Sequence, residues 1–148
     1  MSRGYLLDTS VISRLAPDRA SVDPKLSVWL RDRQERLYLS AITVAEIEMG
    51  VRKLQRAGAS ARAAQLSAWL DRLTQGFGER VLAVDATVAR AAGALSKAAV
   101  ATGRHPGYAD VLIAATARVH DLLLLTANAR HFDAIGVANA DPSREAPD

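Results

Sequence analysis

Four oxygen-bearing side chains stand beside short apolar runs in this chain of 148 residues. Asp8 directly follows Tyr5-Leu6-Leu7, and Glu46 lies just past Leu37-Tyr38-Leu39. Asp110 starts the segment that leads into Leu122–Leu125, and Asn128 follows that run by three residues. If the runs are strands of an open parallel sheet, ligands bind outside their carboxyl ends, where the strand order reverses. The four side chains would then converge on one crevice. Clustered carboxylates repel one another unless a cation neutralises them. Ligation by oxygen alone is the preference of Mg²⁺ or Mn²⁺, which keep several waters and take up phosphate oxygens. The chemistry implied is metal-assisted hydrolysis of a phosphodiester.

Each residue also has a purely structural reading. Asp8 can cap the turn that follows it. Thr43 and Glu46 fit the T-x-x-E capping box, which places Glu46 in the first turn of a helix. Asp110 at a helix start is favoured by the macrodipole, and Asn128 can serve as an N-cap. Only their joint placement favours chemistry.

The elements that must position them alternate in type. Tyr5–Leu7, Leu37–Leu39, Val81–Val84 and Leu122–Leu125 read as strands, with Val137 as a last edge strand. Helices are expected over Lys25–Glu35 (started by Pro24), Val44–Arg56 and Ala59–Thr74, the last ended by the Gly76 and Gly78 turn. Further helices are expected over Ala86–Ala101, Tyr108–His120 and Asn128–Phe132. Strands separated by helices imply an α/β fold with a mainly parallel sheet covered on both faces. One domain of this length suffices for a core. Residues 140–148 are polar, contain two prolines and read as a loose tail. No domain boundary interrupts the rest.

Half the residues are apolar and about a quarter charged, which excludes a wholly disordered chain. The absence of cysteine excludes a disulfide framework, a thiolate metal site and a cysteine nucleophile. No run approaches membrane-spanning length, and the N-terminus has no signal-peptide pattern, so a cytoplasmic protein with no membrane partner is expected. The net charge is +3, carried by sixteen arginines and three lysines. Arginine suits phosphate recognition, and Arg31, Arg33, Arg36, Arg52, Lys53 and Arg56 are candidates for a phosphate-binding rim. A GC-rich source genome would produce the same bias.

Other residues read as structural. Asp85, Asp121 and Asp133 fit turns or helix starts, His105 and His120 have no partner that marks a base, and Trp29 and Trp69 fall at apolar helical spacing. His131 lies near Asn128 and is a weaker candidate for the site. No phosphate loop, dinucleotide fingerprint or nucleophile elbow is present.

Four segments together resemble a known family. Leu7-Asp8-Thr9-Ser10-Val11-Ile12-Ser13 is similar to the opening motif of PIN-domain ribonucleases. Tyr38 through Ile47 with Gly50 resembles the second, Asp110 through Ala117 the third, and Leu125-Thr126-Ala127-Asn128 with His131-Phe132 the fourth. Their order and spacing run from residue 5 to about 139, and are closest to the VapC and FitB-like toxins of bacterial toxin–antitoxin pairs. The resemblance implies a three-layer α/β/α domain over residues 1–139, with a central, mainly parallel sheet of four to five strands. It further implies Mg²⁺- or Mn²⁺-dependent endonucleolytic cleavage of RNA, a homodimer, and inhibition by a cognate VapB-like antitoxin. Asp8, Glu46 and Asp110 match the family's metal-holding acids. Thr126 matches a threonine that hydrogen-bonds near the first aspartate, with Thr9 and Ser10 as small polar neighbours.

The fourth motif departs from its usual T-R-N or T-R-D: Ala127 replaces the arginine, and Asn128 offers a carbonyl oxygen without charge. One metal ion is therefore expected rather than two. The aspartate often found shortly before the third-motif acid is missing, with Tyr108 two residues ahead of Asp110. The same departures support an alternative, a catalytically weakened PIN fold that binds RNA or protein. A receiver-like signalling domain also places acids at strand ends, but it needs an early acidic pair and a late lysine. Asp8 stands alone, and no lysine follows Lys97.

Overall fold

The computed structural model describes residues 3–17, 23–101, 103, 106–144 and 147. His105 lies outside them. Five strands form one parallel sheet in the order β3-β2-β1-β4-β5. They are β1 (Tyr5–Leu7), β2 (Leu37–Ser40), β3 (Val81–Leu82), β4 (Leu123–Leu125) and β5 (Asn139–Ala140). The chain builds outward from β1 to β2 and β3, then crosses back to lay β4 on the other side of β1. The strand order reverses between β1 and β4, and a crevice opens there at the carboxyl edge.

The alternation of side chains along each strand divides the core in two. Leu6, Tyr38 and Leu124 face one layer, which holds α5 (Ala86–Ala101), α6 (Tyr108–Val119) and α7 (Ala129–Ile135). Tyr5, Leu7, Leu37, Leu39 and Leu125 face the other, made of α1 (Thr9–Ile12), α2 (Pro24–Asp32), α3 (Ala41–Arg56) and α4 (Ser60–Phe77). Helices on both faces of an all-parallel sheet give the expected three layers. Trp29 is buried in the second core, with its ring edge-on to Tyr5 at 4.9 Å.

Several element bounds differ from those expected, each for a local reason. Helix α3 begins at Ala41 rather than Val44, because the Ser40 hydroxyl caps it by accepting from Ile42 N at 3.0 Å. Thr43 and Glu46 therefore form no capping box, and Glu46 sits in the second turn. Helix α2 stops at Asp32, and Gln34–Arg36 form a separate 3₁₀ turn. Helix α4 runs on through Gly76 to Phe77 and ends at Gly78, whose φ of 53° favours glycine. The last strand is Asn139–Ala140, not Val137; Val137 is buried in the first core instead. Asp85 caps α5 by accepting from Val88 N, and Asp121 lies in a turn, but Asp133 lies inside α7. Among the described residues no helix is long and apolar enough to cross a membrane.

Candidate active site at the carboxyl edge of the sheet

The end of β1 delivers Asp8 into the crevice, where its side chain is only 4% exposed. The backbone sets its place: Asp8 N donates to Leu125 O at 2.9 Å, tying the ends of β1 and β4 together. Asp8 occupies the N-cap position of α1, yet its carboxylate makes no cap bond. Its Oδ2 instead accepts from Ser10 Oγ at 2.7 Å and from Thr126 Oγ1 at 2.9 Å. Both bonds are to a charged acceptor, a class worth ~1.5–3 kcal/mol each.

Thr126 is fully buried with its polar groups satisfied: its N–H pairs with Ala140 O on β5, and its hydroxyl is used twice. That hydroxyl donates to Asp8 and accepts from Asn128 N at 2.9 Å. Ser10 Oγ likewise accepts from Ala127 N at 3.1 Å. The two hydroxyls thus lock the turn after β4 against the turn after β1. Asn128 takes the N-cap position of α7 without a side-chain cap bond, and its amide is exposed.

Glu46 reaches the same edge from α3. Its Oε1 accepts from Thr9 Oγ1 at 2.7 Å, and Thr9 Oγ1 also lies 3.0 Å from the buried Thr43 hydroxyl. Thr9 adjoins Asp8 in the chain, so Glu46 is linked to Asp8 through one residue. A depression beside Glu46 is lined by Thr9, Gly50, Lys53, Arg62 and the half-buried Trp69.

Asp110, in the first turn of α6, meets α7 instead: His131 Nδ1 stands 3.4 Å from its Oδ2. The structure thus joins Asp8, Ser10, Thr126 and the Asn128 backbone in one network, Glu46 with Thr9 and Thr43 in a second, and Asp110 with His131 in a third. His131 gains a partner that its sequence position only suggested. Ser10 is a full member of the first network, where the family resemblance marked it only as a small polar neighbour of Asp8.

The donors at this edge are oxygens, and Asp8 is a buried carboxylate with no Lys, Arg or His partner among the described residues. That chemistry suits a hard cation. Among the described residues, however, no three His, Asp or Glu side chains are arranged to hold one ion together. The donor type fits a divalent metal reached partly through water, as Mg²⁺ prefers.

The basic rim divides. Arg36 donates through Nε to Arg3 O at 3.1 Å and lies 5.0 Å from the centre of the Tyr5 ring. Arg33 stacks on Trp29 at 4.5 Å, with a buried Nε that has no hydrogen-bond partner among the described residues. Arg52 pairs with Glu48 at 2.8 Å on its own helix. Of the six candidates, Lys53 is the one that lines the Glu46 depression.

The PIN domain family model matches residues 5–138. Toxin FitB of Neisseria gonorrhoeae is 35% identical over 142 residues, spanning 93% of this chain and 96% of that protein. VapC ribonuclease Y4jK of Sinorhizobium fredii is 34% identical over 142 residues with the same coverage. The crystal structure of FitAcB from Neisseria gonorrhoeae superposes with a TM-score of 0.82 at 34% identity, over 95% of this chain and 99% of that one.

Proposed function

The chain belongs to the PIN domain family, and from that premise we propose that it is a Mg²⁺- or Mn²⁺-dependent endoribonuclease, the toxin of a toxin–antitoxin pair. The observation that carries this reading is Asp8: a buried carboxylate without a cation partner among the described residues, clamped by two hydroxyls where the strand order reverses. A relative named as a ribonuclease and another named as a toxin support the activity and its setting. The partners are RNA as substrate, a VapB-like antitoxin, and a second copy of the chain.

Asp8, Glu46 and Asp110 would hold the ion, directly or through water, and Asn128 would offer an amide oxygen beside them. When bound, the metal supplies positive charge to the scissile phosphate and lowers the pKa of water. The chain's own residues do the positioning. Ser10 and Thr126 both donate to Asp8 Oδ2, so Oδ1 is the oxygen that would face the ion. Thr9 occupies Glu46 Oε1, leaving Oε2 to orient the attacking water and take its proton. His131 steadies Asp110.

Purified protein should cut RNA with Mg²⁺ and stop on addition of EDTA. Cleavage that EDTA leaves untouched would overturn the metal-dependent reading. A second reading, an RNA- or protein-binding PIN fold without cleavage, is favoured by Ala127, by Asn128 and by the absence of a three-donor cluster among the described residues. Protein that binds RNA but never cuts it, with either metal, would select that reading.

A further inference from the structure

Beyond Asp110, on the β5 side of the carboxyl edge, a second depression of about 390 Å³ is lined by Ala127, Asn128, Arg130, His131, Asp141 and Arg144. That volume lies within the ~300–1,000 Å³ of ligand pockets. Its walls come from the turn after β4, the start of α7 and the turn after β5, so it sits next to the Asp8 crevice along the same edge. His131 ties the depression to Asp110, since the imidazole that lines it also stands 3.4 Å from the Asp110 carboxylate.

The charge here is opposite to that of the crevice. Arg130 is exposed and has no hydrogen-bond or ion-pair partner among the described residues. Arg144 donates its backbone N–H to Asp141 O at 3.1 Å, but its guanidinium approaches the Asp141 carboxylate no closer than 3.8 Å, through Nε, and its side chain is 87% exposed. Asp141 is already engaged by Ser143, whose N and Oγ donate to its Oδ1 at 3.0 and 2.6 Å. Two arginine forks therefore face a polar hollow that holds a single, occupied carboxylate. Ala127 leaves this wall without a bulky side chain, and the Asn128 amide brings both a donor and an acceptor to it.

We propose that this depression is a subsite for the ribose-phosphate of the RNA nucleotide flanking the bond to be cut, with Arg130 and Arg144 gripping its phosphate. The guanidinium fork matches phosphate oxygens in pairs. The choice of RNA as ligand rests on the ribonuclease reading above.

The test uses full-length protein in EDTA and a fluorescein-labelled decauridylate RNA, read by anisotropy across a salt series. Replacing both arginines (Arg130→Gln with Arg144→Gln) should weaken binding about tenfold or more, each factor of ten being about 1.4 kcal/mol. The slope of log affinity against log salt should shrink by about 0.7, the value for the one single-strand phosphate no longer neutralised. The lysine pair, Arg130→Lys with Arg144→Lys, should keep most of that slope. The subsite is overturned if wild type does not bind the RNA, if the glutamine pair binds unchanged, or if the lysine pair falls as far as the glutamine pair. It is overturned in favour of an acidic peptide if polyglutamate of equal charge competes as well as RNA. RNA binding that depends on the arginines in a protein that never cuts would sink the cleavage reading and leave the subsite standing. Cleavage with arginine-independent binding would do the reverse.

Discussion

Thr126 Oγ1 donates to Asp8 Oδ2 at 2.9 Å across 118 residues of sequence, inside a wall where Thr126 itself is fully buried. The same oxygen accepts from Asn128 N. One hydroxyl thus holds the Asp8 carboxylate and shapes the loop beside it.

Thr126→Val preserves shape but removes that hydroxyl. The Asn128 N–H and the Asp8 carboxylate are each deprived of a partner, so stability should fall by about 1–3 kcal/mol, with a marked drop in cleavage. Thr126→Ser should keep most of both. Denaturant unfolding of the three proteins checks the stability, and a valine variant as stable as wild type would remove Thr126 from the clamp.

Asp8→Asn separates charge from shape. Cleavage should drop by about 100-fold or more, equivalent to at least ~2.7 kcal/mol of barrier. Folding should survive, because an amide oxygen can still accept from Ser10 and Thr126, and a buried charge without a cation is removed. Added Mg²⁺ should raise the melting temperature of wild type and not of the variant, since only a ligand that binds the folded state stabilises it. Equal shifts in the two melting curves would place the metal elsewhere.

The strands, their order of types and the acids at their ends were legible because short apolar runs and Gly, Pro and Asp boundaries are local signals. The start of α3 was not, because Ser40 caps it while still ending β2, and Thr43-x-x-Glu46 imitates a cap one turn later. The clamp on Asp8 depends on the pairing of β1 with β4, which no local spacing encodes. The basic rim divides for a different reason. A run such as Arg31, Arg33 and Arg36 carries no sign of which guanidinium will turn inward, and Arg33 and Arg36 found aromatic rings and a backbone carbonyl to cover.

Arg36→Ala accordingly tests anchor against rim. It removes the bonds to Arg3 O and the packing on Tyr5, and should cost about 1–2 kcal/mol of stability. Affinity for single-stranded RNA should stay within twofold of wild type, as titration would show. A large fall in RNA affinity at unchanged stability would return Arg36 to the phosphate path.

Asp141 gives the fold a dependence on acid. Burial opposes its ionisation, but the Ser143 hydroxyl and N–H and the charges of Arg14 and Arg144 outweigh burial and hold its carboxyl below its ordinary value of 3.8. A carboxyl depressed on folding stabilises fully above its unfolded value, and the gain fades as pH falls through the folded one. Asp141→Asn should therefore melt lower than wild type at neutral pH, with the gap closing below about pH 3.8. Parallel melting curves at both pH values would refute the assignment.

The sheet order β3-β2-β1-β4-β5 also dictates when the site comes into being. The chain emerges from the ribosome with Asp8 first, yet that residue has no clamp until β4 and Thr126 have been made and have crossed back beside β1. Pairings so distant in sequence form late. Through most of its own synthesis, therefore, the chain carries Asp8 without the contacts that fix it.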